Sequence, residues 1–122
     1  MDWIFKEGQP IYTQIIAQLK IKIANGTYKP GEKLPSVREL ALAAAVNPNT
    51  MQRALAEMER ECLIFAERTN GRFVTEGGEV LDNLKRTLAE EFIGDLFQNL
   101  KKIGLDNEEI IAAVNQWAKE EQ

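Results

Sequence analysis

The chain of 122 residues contains no histidine and a single cysteine, Cys62. Without imidazole there is no His-based triad or acid–base pair and no ordinary zinc site, and one thiol cannot close a disulfide within the chain. Proline is scarce, and no Gly/Ser or Pro tract marks a linker or a disordered stretch. No apolar run approaches the roughly 18 residues of a membrane span. Residues Met1 to Lys6 have no basic leader followed by an apolar segment, so a cytoplasmic protein without membrane contact is expected. Enzymatic machinery is also thin, since carboxylates such as Glu90 and Glu91 are neighbours on a helix and point apart. No enzyme, metal or cofactor is expected.

What is present is an ordinary globular mixture, 44% hydrophobic and 28% charged, long enough for one core of usual size or a small domain with a helical appendage. The net charge of −4 is unevenly spread. Residues 1–77 hold ten Lys/Arg against nine Asp/Glu, whereas residues 78–122 hold five against ten. The acidity is segregated, as it would be if one half faced a polyanion and the other faced away. A solvated acidic helix pair with no electrostatic role gives the same counts.

After Pro10, the spacing of Tyr12, Ile15, Ile16, Leu19 and Ile23 predicts an amphipathic helix closed by Asn25-Gly26. Pro30-Gly31 supplies a turn. Ser36-Val37-Arg38-Glu39 is a capping box that starts a second helix, with Val37, Leu40, Ala41 and Ala44 on one face. That pattern breaks at Ala45, and Asn47 caps a third helix with Pro48 at its first position. Met51, Ala54, Leu55 and Met58 form the inner face of this helix, so Asn49, Gln52, Arg53 and Ala56 project outwards. Two helices so closely joined, the second with an exposed polar start, make a helix-turn-helix. Ile64 to Thr69 and Arg72 to Thr75 flank Asn70-Gly71, which predicts a hairpin with a two-residue turn, a wing.

Gly77-Gly78 marks a boundary. Beyond it Leu81, Leu84, Leu88, Phe92, Leu96, Leu100 and Ile103 recur every three or four residues, and Asp106 to Glu109 caps a last helix carrying Ile110, Ile111, Val114, Trp117 and Ala118. These apolar faces exceed what one short helix pair can bury, so a partner subunit is expected to cover Leu84, Leu88, Phe92, Leu96, Leu100, Ile110, Val114 and Trp117. The expected fold is mainly α with a small β-hairpin: a winged helix-turn-helix over residues 1–77, then a two-helix dimerisation tail over residues 78–122.

Four blocks carry a resemblance: Pro10 to Ile15, Pro30 to Ala41, Val46 to Met51, and Gly71 to Val74. In that order and spacing the chain resembles the GntR family of bacterial transcription regulators, and within it the YtrA subfamily, whose tail is likewise short. The resemblance implies a homodimer binding a palindromic operator in double-stranded DNA, acting as a repressor, with a transporter operon as target. It also implies the contacts. Lys33 and Ser36 would lie near phosphates and Arg38 would grip a phosphate or base edge. The first turns of the third helix, from Asn47 to Arg53, would enter the major groove, with Asn49, Gln52 and Arg53 near base edges and Thr50 near a phosphate, and Thr69, Asn70, Gly71 and Arg72 at the wing tip would reach the neighbouring minor groove or its phosphates. Cys62, Ala45 and Thr69 depart from the family, each standing where glycine is usual. A small-molecule effector between the tail helices and regulation without one both remain open, as does a winged helix used only as a protein-interaction module.

Overall fold

The computed structural model describes residues 3–121. It contains α1 (Ile11–Ala24), α2 (Val37–Ala44), α3 (Pro48–Arg60), β1 (Ile64–Glu67), β2 (Gly71–Val74), α4 (Gly78–Lys102) and α5 (Asn107–Glu120). The chain divides into two compact units between Lys85 and Arg86. The division thus falls inside α4, beyond the Gly77-Gly78 boundary expected from the sequence, because α4 runs on without interruption and its first turns, with Leu84 buried, belong to the first unit.

In the first unit α3 packs against both α1 and α2 and against β1. The core is the sum of their inner faces: Ile15, Leu19 and Ile23 from α1, Leu40, Ala41 and Ala44 from α2, Met51, Ala54, Leu55 and Met58 from α3, with Leu34, Ile64 and Val74 closing it. Both helix starts are built as their sequences dictate. Ser36 accepts from the Glu39 amide and donates its own amide to the Glu39 carboxylate, and Asn47 Oδ1 accepts from the Asn49 amide at 2.7 Å.

The hairpin differs from expectation. Glu67 pairs with Gly71, so the loop is Arg68-Thr69-Asn70, three residues rather than two. The Asn70 amide turns back to the Glu67 carbonyl, and Gly71 takes φ +96, the conformation that completes a three-residue loop and that a side chain would resist. A third chain segment joins the wing: Gly31 and Leu34 donate to Val74 and Arg72 carbonyls, and Val74 donates to Glu32, so β2 lies between β1 and residues 31–34.

Residues 3–9 lie along α1 as a strap. Gln14 both donates to and accepts from the Lys6 backbone, and Gln18 does the same with Ile4. Four residues of helix rise ~6 Å, close to the ~6.6 Å of two extended residues, so carboxamides one turn apart match alternate residues of the strap. Trp3 and Phe5 stack with centroids 6.2 Å apart, and the Lys22 ammonium sits 3.4 Å from the Trp3 centroid. Burial there pushes the Lys22 pKa down from the ordinary lysine value.

In the second unit the start of α5 is a second capping box, Asp106 with Glu109. Ile110 is buried within it, while Phe92, Leu96, Val114 and Trp117 are exposed.

Candidate nucleic-acid interface

The start of α2 and the wing tip converge, and the exposed start of α3 lies on the same compact unit. Lys33, Ser36, Thr69, Asn70, Gly71 and Arg72 line a common cavity of about 390 Å³, which Pro35, Val37 and Glu39 complete. The stretched connection 31–34, hydrogen-bonded to β2, brings the start of α2 to the wing tip, a link with no sequence signal beyond Pro30-Gly31. Gly71 serves this approach as well as the turn: a Cβ there would lie 3.1 Å from Lys33 Cε. Glu39, bound by the Ser36 amide and hydroxyl, is held below the usual carboxylate pKa, with Lys33 adding a smaller attraction. Its charge is thus spent on the cap.

Arg38 is exposed on the first turn of α2, and among the described residues it forms no ion pair. Asn47, Asn49 and Gln52 are exposed on the first turns of α3, and Thr50 is half-buried. Charge-free hydrogen-bonding side chains at the exposed start of a helix suit base edges in a major groove.

Two of the expected contact residues are engaged elsewhere. Arg72 lies opposite Ala66 and two residues from buried Val74, so its side chain leaves the sheet on the core side and pairs with Glu59 of α3. It fastens wing to helix. Arg53 is drawn toward α1, where its guanidinium lies 3.8 Å from the Tyr12 ring centroid. Glu59 and Tyr12 were not singled out as functional from the sequence, because pairs 13 residues and farther apart leave no local pattern. Of the expected interface positions, Leu84 and Ile110 are buried within the protomer and present no surface to a partner; Leu88 and Leu100 are half-buried.

Comparison with known proteins supplies the deciding observation. Residues 11–74, which hold α1 to β2, match the model of "Bacterial regulatory proteins, gntR family". The chain belongs to the GntR family. Its relatives extend past that segment: the HTH-type transcriptional regulator YhcF of Bacillus subtilis is 38% identical over 98% of each chain. The HTH-type transcriptional repressor YtrA of the same organism is 38% identical over 94% of this chain and 86% of its own. A solved GntR family transcriptional regulator from Listeria monocytogenes superposes with a TM-score of 0.84 at 38% identity, covering 92% of this chain and 98% of its own. This GntR regulator is therefore a DNA-binding transcription regulator of YtrA type and not an enzyme, and a role confined to protein interaction is not favoured. No described helix is long and apolar enough to cross a membrane.

Proposed function

We propose that this regulator represses transcription as a homodimer on a partly palindromic operator, in the cytoplasm, with a transporter operon as target. The observation that carries the reading is the convergence of Lys33, Ser36 and the wing tip on one cavity, with Arg38 and the exposed polar start of α3 on the same unit. Lys33, Ser36 and Arg38 anchor phosphates; Asn47, Asn49, Thr50 and Gln52 meet the major groove; Thr69, Asn70 and Gly71 reach the minor groove. Arg72 acts there through its hold on the wing. Repression follows the likeness to the YtrA repressor, and the transporter target follows the YtrA-type resemblance alone.

The homodimer is supported by Phe92, Leu96, Val114 and Trp117, large side chains left uncovered on the second unit, with Leu88 and Leu100 half-covered beside them. Leu96, Leu100, Ala113, Val114 and Trp117 line an open apolar groove of about 470 Å³, the place on this unit suited to a small-molecule effector. Two-fold pairing sets two recognition helices about one DNA turn apart.

The test begins by selecting bound fragments from genomic DNA. Arg38→Ala and Gln52→Ala are then each expected to weaken binding to the selected site by about 1–3 kcal/mol, Gln52→Ala relaxing preference at one base pair and Arg38→Ala lowering the salt dependence. If both variants bind as tightly and as selectively as wild type, the assigned reading head is wrong.

A further inference from the structure

Arg53 follows Gln52 on α3 but lies against α1 rather than beside Asn49 and Gln52. Neighbouring charges are already matched: Glu57 pairs with Arg60, and Glu61 pairs with Lys20 at 2.9 Å. Among the described residues Arg53 itself has no carboxylate within ion-pair distance. Among the described residues its close contact of charge type is the Tyr12 ring. A guanidinium stacked on a ring uses its face for that contact and leaves its in-plane N–H groups free to donate. The two residues form one wall of an open cleft of about 340 Å³, which Thr13, Ile16, Arg60 and the two paired carboxylates Glu57 and Glu61 complete. In a DNA-binding half that carries almost no excess positive charge, with Arg60, Arg72 and Lys20 already neutralised, an uncompensated arginine fixed at the rim of such a cleft is directed at an anion from outside.

We propose that Arg53 grips a DNA backbone phosphate on the α1 side of α3, and that Tyr12 is the positioning residue that holds its guanidinium for that contact. The assignment is to phosphate rather than to a base edge because the guanidinium is drawn off the outer face of α3, where Asn49 and Gln52 remain. It rests on the family's DNA binding and gives α3 a backbone contact on its α1-facing side, beside the base contacts of Asn49 and Gln52.

The test titrates wild type, Tyr12→Phe, Tyr12→Leu, Arg53→Ala and the Tyr12→Leu/Arg53→Ala double variant with a fluorescent random-sequence duplex across a salt series, with thermal melting as the check on folding. Losing one phosphate contact lowers the slope of log affinity against log salt by about 0.9. Arg53→Ala is expected to show that drop. Tyr12→Leu is expected to bind about threefold more weakly, Tyr12→Phe as wild type because the ring survives, and the double variant no worse than Arg53→Ala. An unchanged slope in Arg53→Ala overturns the phosphate contact, whether or not Tyr12→Leu folds. Tyr12→Phe binding as weakly as Tyr12→Leu, or losses that multiply in the double variant, overturns the positioning role. Wild type failing to bind the duplex in a salt-dependent way would instead refute the DNA-binding reading itself.

Discussion

Ala45 and Cys62 adopt φ of 56 and 64, left-handed values that side chains resist. Each ends a helix within the DNA-binding half, and each stands where the family's sequence pattern favours glycine. The Cβ strain costs roughly 1–2 kcal/mol per residue, while glycine would cost up to ~1 kcal/mol in unfolded-chain freedom. Strain wins by a modest margin, so Cys62→Gly is expected to stabilise the protein by about 0.5–1 kcal/mol. Urea unfolding checks it: the midpoint should rise with the slope unchanged, and a lower midpoint would mean the Cys62 side chain earns more by packing than its conformation costs. Arg53 and Arg72 make the complementary point. Their types and their places, on the outer face of α3 and at the wing, are readable from the sequence, but what they touch is decided by Tyr12 and Glu59, which come from other elements.

At the scale of the element, what was legible follows from range. The capping boxes at Ser36/Glu39 and Asp106/Glu109 and the Asn47 cap are contained within three residues, and all three form as read. The wing was recognisable as a hairpin, but Asn70-Gly71 does not by itself distinguish a two-residue turn from the second half of a three-residue loop. The pairing of Ile64 with Val74, set by burial of both, chose the latter. The strand-like segment 31–34 was missed because its partner, β2, lies about forty residues later. The capping box on α2 also carries a pH dependence. The folded protein holds Glu39 below its unfolded pKa of about 4.3, so its contribution is fully present above that value and fades as pH falls through the lower folded pKa. Glu39→Gln should flatten the acid side of a stability profile measured between about pH 5 and pH 2, while Ser36→Ala should lower stability at neutral pH by about 1 kcal/mol. An acid limb as steep in Glu39→Gln as in wild type would assign the dependence to other carboxylates.

For the whole molecule, a DNA-binding half with ten basic against nine acidic residues has little charge to spare for nonspecific attraction. In the proposed homodimer, two linked copies would turn the second half-site contact into an intramolecular event, which would raise affinity without a new contact. The exposed Trp117 and Phe92 are the large side chains whose covering would hold the copies together. Trp117→Glu is therefore expected to give a monomer by sedimentation equilibrium and to lose binding at a full operator while keeping wild-type affinity for an isolated half-site. A dimer of unchanged strength would move the interface away from this face.

The strap on α1 has a spectroscopic corollary. The chain has two tryptophans, and they fall one to each compact unit: Trp3, part-covered beneath an ammonium group and stacked on Phe5, and Trp117, open to solvent. Their emission is expected to differ in colour and in access to aqueous quenchers for that reason. One fluorophore follows the seating of the strap and the other follows whatever comes to rest on α5, so a single cuvette reports on both halves of the regulator without a label.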